Sequence, residues 1–251
     1  MKTSAGITAV RESWLGRWLV AAWHRLVPPL RVRRRCFGLT VYMDLRDNLY
    51  YWFLGPDLEK LEKPVFDVLA LFKGRIWDVG ANFGLFALRA ASLGHEVVAF
   101  DLAPKSLRLL DASARVNGLN VRTVPRAFAV TQFRFASPKS ASSENKVVAA
   151  DTTDGELSIT YLDAVGLYGI PDLIKMDIEG YEEVFLKSPE FHAWLLANRI
   201  AWIVELHRQD FWKLLPGALQ QVKLDVGHVL LIPPGNPLLR LQGQGEKAKS
   251  K

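Results

Sequence analysis

The sequence predicts an α/β fold, a mostly parallel sheet with helices on both faces, and three observations predict it. Strand-like and helix-like signals alternate from about residue 75 to residue 207, the order that winds a parallel sheet with helical crossovers. The stretch from Arg75 to Phe86 reads as a buried strand, a tight glycine turn and a helix start. The chain has 251 residues, 49% of them hydrophobic, enough for the core of one α/β domain.

The first strand ends Trp77-Asp78-Val79, and the turn after it is Gly80-Ala81-Asn82-Phe83-Gly84. Glycine lets backbone approach a ligand closely, and the following helix start offers unpaired N–H groups. The spacing is Gly80-x-Asn82-x-Gly84, which lacks the G-x-G-x-x-G pattern of dinucleotide sites and the lysine and hydroxyl of a phosphate loop. Asp78 would repel a pyrophosphate and suits a cationic amino group, such as the ammonium of S-adenosylmethionine.

Glu96–Asp101 reads as the next strand, again closed by an acid, with Pro104 placed for the first turn of a helix. In doubly wound sheets an acid at this point accepts the hydroxyls of a ribose. Asp101 is expected to do so, unless it serves as a helix cap.

Two later strands carry charges. In Pro171–Gly180, period-two alternation is expected to set Lys175, Asp177 and Glu179 on one side of the chain. Ile200–His207 ends in Glu205 and His207. Parallel strands buried on both faces normally read as unbroken apolar runs, so these charges need either mutual pairing or a site at the carboxyl ends of the strands.

In combination, Asp78–Gly84, Leu162-Asp163, Lys175-Met176-Asp177-Ile178-Glu179-Gly180 and Glu205-Leu206-His207 resemble the FkbM-type methyltransferases over roughly residues 40 to 210. The resemblance implies a Rossmann-like class I methyltransferase fold: a mostly parallel seven-stranded sheet, with a C-terminal antiparallel hairpin expected from Gln221–Asp225 and His228–Ile232. It also implies S-adenosyl-L-methionine as methyl donor and a hydroxyl of a glycan, glycolipid, secondary metabolite or other small molecule as acceptor. Relatives commonly show Glu-Pro where this chain has Asp101-Leu102-Ala103-Pro104, a shorter reach to the ribose. Asp78, Gly80, Ala81, Asn82, Gly84, Asp101 and Leu102 are thus the expected cofactor residues.

Asp177, Glu179, Glu205 and His207 are the catalytic candidates, since a hydroxyl needs a base nearby and an unperturbed histidine titrates near neutrality. A divalent cation could sit on Asp177, Glu179 and Glu205; the sequence does not require one, and no metal ligand is assigned. A non-catalytic cofactor-binding scaffold is the alternative to an enzyme.

Composition divides the chain into residues 1–35, a domain at 36–235 and a basic tail at 236–251, whose end is expected to be disordered. Residues 1–35 hold eight Lys or Arg and one acid, Glu12, while the whole chain carries +6. Leu15, Leu19, Ala22 and Leu26, with Trp14, Trp18 and Trp23, follow helical spacing ahead of the Arg31–Arg35 cluster. Such a segment either packs on the domain or lies on an anionic membrane through residues 11–35; no nucleic-acid motif accompanies the charge, so no nucleic-acid partner is expected. Cys36 is the one cysteine, which excludes an intramolecular disulfide and fits a cytoplasmic setting, at the inner membrane face if the segment docks. Val130–Asp154 reads as a polar surface loop or edge hairpin, and Tyr50–Phe53 as core aromatics.

Overall fold

The computed structural model describes residues 26–54, 57–135 and 155–239. The expected amphipathic helix before residue 26, most of the polar loop and the end of the tail lie outside them. Among the described residues no helix is long and apolar enough to cross a membrane.

Strands β1 (Arg31–Cys36) and β2 (Leu39–Asp44) pair antiparallel. Phe37 and Gly38 make the two-residue turn, both at positive φ, the twist that joins adjacent strands tightly. Helices α1 (Leu49–Leu54) and α2 (Asp57–Leu69) follow. Then come β3 (Arg75–Val79), α3 (Leu85–Ser92), β4 (Glu96–Phe100), α4 (Pro104–Val116) and β5 (Arg122–Val124). Four short strands, β6 (Phe128–Ala129), β7 (Arg134–Phe135), β8 (Glu156–Leu157) and β9 (Ile159–Thr160), lead to α5 (Tyr161–Tyr168). Next are β10 (Leu173–Met176), α6 (Glu182–Leu186), α7 (Pro189–Asn198) and β11 (Ala201–Glu205). A 3-10 helix at Gln209–Leu214, β12 (Gln220–Lys223) and β13 (His228–Ile232) complete the order.

Seven strands form one sheet in the order β12-β13-β11-β10-β3-β4-β5. From β3 the chain winds outward to β4 and β5, then returns to β10 on the other side, so the winding reverses between β3 and β10. These strands and β11 are parallel. In the terminal hairpin only β13 opposes them, since β12 is antiparallel to β13; its first strand is Gln220–Lys223 rather than the expected Gln221–Asp225.

Period-two alternation sends Ile76, Leu173 and Ile203 to one face, under α2, α3 and α4. It sends Trp77, Val79, Ile174, Met176 and Trp202 to the other, under α5, α6 and α7. Trp77 and Trp202 are fully buried; each side chain of that class contributes about 1.5–3 kcal/mol by leaving water. Helix starts follow sequence signals: Pro104 and Pro189 occupy first turns, and Ser188 and Thr160 accept N–H groups of Phe191 and Asp163.

Both domain boundaries expected from composition are too narrow. Residue 35 falls inside β1, where alternation exposes Arg31, Arg33 and Arg35 while Arg34 turns inward. The outer edge of β2 is closed by α4: Tyr42 N–H donates to Ser113 Oγ at 2.8 Å and Thr40 N–H to Asn117 Oδ1 at 2.9 Å. At the other end Asn236 and Leu238 are buried, and Asn236 Nδ2 donates to the Arg199 carbonyl. The basic stretch before residue 36 reads as a separate segment because a two-stranded ribbon shows its charges on one face only.

Candidate active site

A cavity of about 630 Å³ opens at the carboxyl ends of β3, β4, β10 and β11, at the reversal of winding where doubly wound sheets bind ligands. Its size suits a small-molecule site. One bank is the glycine turn. Gly80 and Ala81 N–H groups donate to the Phe100 carbonyl at 2.9 and 3.0 Å, tying the turn to the neighbouring strand. Gly80 sits at φ +81° and Asn82 at +51°. Asn82 N–H donates to Asp101 Oδ2 and Ala103 N–H to Asp101 Oδ1, both at 2.7 Å. Burial lifts the Asp101 carboxyl to about 6, against the pull of those two amides. Gly80, Ala81, Asn82, Asp101 and Leu102 all line the cavity.

Asp78 and Gly84 do not line it. Alternation turns Asp78 toward α3, where it is fully buried and its Oδ2 accepts the Ala87 N–H at 3.0 Å. Burial raises it to about 6, opposed by Lys175, whose Nζ lies 4.0 Å from Oδ1. Asp78 thus satisfies an orphan donor at a helix start, while its buried Oδ1 has no hydrogen-bond partner among the described residues. Gly84 leaves room for Leu110, whose Cδ1 would stand 2.2 Å from a Cβ.

The opposite bank carries the charges. Lys175 and Asp177 extend on β10 and just past it, with Nζ 3.1 Å from Asp177 Oδ2. Burial opposes the charge of Lys175, but Asp177, Asp78 and Glu205 outweigh it and raise the ammonium. Asp177 feels burial in the other sense, yet Lys175 and His207 hold it ionised below the usual range. The strand ends at Met176, so Glu179 is not the third member of an alternating row. It sits in the following turn at φ +56° and still lines the cavity. Burial, then the charge of Asp177, lifts its carboxyl to about 7.

His207 also lines the cavity. Its Nε2 lies 3.5 Å from Asp177 Oδ1 and 3.7 Å from Glu179 Oε2, and its Nδ1 is 3.3 Å from Glu182 Oε1. Burial would lower its pKa, but Glu182, Asp177 and Glu205 raise it to about 9. The surrounding acids thus favour the protonated ring.

Further lining residues come from elements that carry no site signal in sequence. Tyr51 and Leu54 of α1, with Leu61 and Glu62 of α2, roof the cavity; Tyr51 packs edge-on against Phe83 at 5.0 Å, so the aromatic run assigned to core partly faces the site. Burial lifts Glu62 to about 7. From β13, His228 places Nδ1 2.9 Å from Asp225 and Nε2 3.4 Å from Glu205.

Asp177, Glu205 and His207 hold ligand-type atoms within 4.8 Å of one another, a set that differs from the expected Asp177, Glu179 and Glu205. Their negative charge is answered by Lys175, His207 and His228 from within the protein, and we assign no metal to it.

The residues fit S-adenosylmethionine. Asp101 keeps lone pairs for a ribose, Gly80 leaves the turn bare of Cβ, and the buried Asn82 Oδ1 has no hydrogen-bond partner among the described residues. Residues 78–228 match the family model of the methyltransferase FkbM domain, more than half of the chain. The chain belongs to the FkbM methyltransferase family. It is a methyltransferase that uses S-adenosylmethionine.

No curated protein matches this FkbM methyltransferase in sequence. Among solved structures it is similar to a hypothetical protein of Thermus thermophilus, at 20% identity and TM-score 0.42, covering 69% of this chain and 84% of that one. It is also similar to the T. thermophilus 16S rRNA N2 G1207 methyltransferase RsmC in complex with AdoMet and guanosine, at 16% identity and TM-score 0.49, covering 83% and 51%. A third is the Pyrococcus abyssi tRNA (uracil-54, C5)-methyltransferase with S-adenosyl-L-homocysteine, at 14% and 0.44, covering 80% and 43%. The chain thus spans about half the length of these two RNA methyltransferases. Two of these structures are RNA methyltransferases, so the expectation of no nucleic-acid partner is withdrawn.

Proposed function

We propose that this chain is an O-methyltransferase acting on a hydroxyl of a glycan, glycolipid or secondary metabolite. The observation that carries the reading is Glu179. It lines the cavity in a left-handed conformation, a conformation that concentrates at functional sites when a non-glycine residue adopts it. Its carboxyl, raised to about 7, is matched to accept a proton at neutral pH.

When bound, S-adenosylmethionine supplies an activated methyl group on its sulfonium. Asp101 would hold the ribose, and Gly80 to Asn82 the methionine end. Glu179 takes the proton that the acceptor hydroxyl gives up as its oxygen becomes an ether. His207, 3.7 Å away, steadies the carboxylate through its positive charge. Glu62, Glu205 and Asp177 offer acceptors to neighbouring hydroxyls, and Tyr51 and Tyr181 offer flat surface to a sugar ring. Most of the acceleration comes from holding the two reactants in line, and the scheme uses no divalent cation.

The test is incubation of enzyme with methyl-labelled donor and a fractionated cell extract. Label in saccharide, lipid or small-molecule fractions as a base-stable methyl ether is expected. Label confined to RNA or protein would overturn the reading.

A further inference from the structure

Glu182 takes no part in lining the cavity and is fully buried, beside Phe185 and Leu186. A buried carboxylate is costly unless its oxygens are answered. Oε1 accepts the Ile178 N–H at 2.5 Å, and Oε2 accepts the Gly180 N–H at 2.7 Å. These amides flank Glu179, whose left-handed φ needs support from its surroundings. Oε1 also lies 3.3 Å from Nδ1 of His207. The other ring nitrogen then faces Asp177 and Glu179 at 3.5 and 3.7 Å.

One carboxylate thus touches both the backbone under Glu179 and the ring beside it. A histidine whose one nitrogen donates to a buried acid has its ring plane and its second nitrogen oriented by that bond. The acids facing this ring are Glu182 from α6, Asp177 and Glu179 from the turn after β10, and Glu205 from the strand that leads into it. Glu182 alone contacts Nδ1 among the ion pairs of this ring.

We propose that Glu182 is a positioning residue: it fixes the Ile178–Gly180 turn and points His207 at the carboxylates of Asp177 and Glu179. The role rests on the reading of Glu179 as proton acceptor, while the orientation of His207 can be measured without any acceptor. The experiment uses the full chain labelled with ¹⁵N and ¹³C at histidine, with His207 assigned by the signal lost in His207→Gln. In the unsubstituted protein Nδ1 is expected to stay protonated and the ring to titrate at least one unit above a free histidine. In Glu182→Gln, which keeps shape and removes charge, the midpoint is expected to fall by more than one unit. Binding of S-adenosylhomocysteine, followed by calorimetry, is expected to change less than threefold.

A midpoint at or below that of free histidine in the unsubstituted chain, or an unchanged midpoint in Glu182→Gln, would overturn the proposal. Should Glu182→Gln fail to fold, the first of these measurements still decides. Full activity of Glu179→Gln would instead remove the proposed function and leave the His207 titration as it is, so the two readings fail separately.

Discussion

A Cβ on Gly80 would stand 1.7 Å from the carbonyl oxygen of Asp177. The glycine turn and the strand end that carries the acidic bank therefore meet through bare backbone. Gly80→Ala is expected to destabilise the fold by roughly 2–5 kcal/mol, combining the left-handed conformation with a clash against backbone. Urea unfolding would measure it, and S-adenosylhomocysteine binding should be lost in any folded fraction. A variant that binds normally would show that the strands can part without harm.

Asp101 anchors two backbone amides and faces the cavity. Asp101→Asn turns an amide donor toward one of those N–H groups and removes a charged acceptor for the ribose. Donor-product affinity is expected to fall ~10- to 100-fold, the size of a lost hydrogen bond to a charged group. Calorimetry with S-adenosylhomocysteine would check it; unchanged affinity would place the ribose elsewhere.

Glu179→Gln retains the shape of the side chain and abolishes its basicity. Turnover is expected to drop ~100-fold or more, with cofactor affinity within a few fold. Single-turnover kinetics on an acceptor found by label transfer would separate the two effects. His207→Ala should instead shift the acidic limb of the rate profile upward, because a nearby cation lowers the Glu179 carboxyl.

The charged groups make stability depend on pH in a definite direction. Asp78 and Asp101 are raised to about 6, and Glu62 and Glu179 to about 7, first by burial. Folding therefore takes up protons between about pH 4 and 7, and stability falls as pH rises through that window. His207 and His228, at about 9 and 10, contribute stability below about pH 6.5 that is lost as pH rises through 9 to 10. Asp177 and Asp225 are depressed and act oppositely, losing their contribution as pH falls below about 4. The ligand-free chain is thus expected to resist urea better at pH 5 than at pH 9. A midpoint that climbs from pH 5 to 9 would contradict these ionisation states.

How much of this was legible before the structure can be argued residue by residue. Gly80, Asn82, Asp101 and the Lys175–Asp177 pair were readable because each belongs to a short local pattern whose geometry is fixed by strand alternation or a glycine turn. Asp78 lies on the α3 face because strand parity sends it there, and the contact with Ala87 depends on α3, which a strand pattern alone does not show. The raised pKa of His207 has no local signal, because Glu182 and Asp177 are brought to it by a different strand and helix. Glu182 itself looks like an ordinary acid in the first turn of a helix. Glu62, Tyr51 and His228 carry no local signal at all, since only the packing of α1, α2 and β13 over the sheet ends brings them to the cavity.

Arg34 of β1 donates to the carbonyls of Tyr51 and Trp52 at 3.1 and 2.8 Å, so the N-terminal ribbon holds the helix that carries Tyr51. Every roof residue from Tyr51 to Glu62 precedes residue 78, where the span shared with the FkbM family begins. The roof of the cavity and the sheet ends beneath it are consequently written in separate stretches of the gene. Under the proposed function, exchange of residues 31–69 between relatives is expected to change acceptor choice while S-adenosylhomocysteine affinity stays within a few fold, which calorimetry on such a chimera would check.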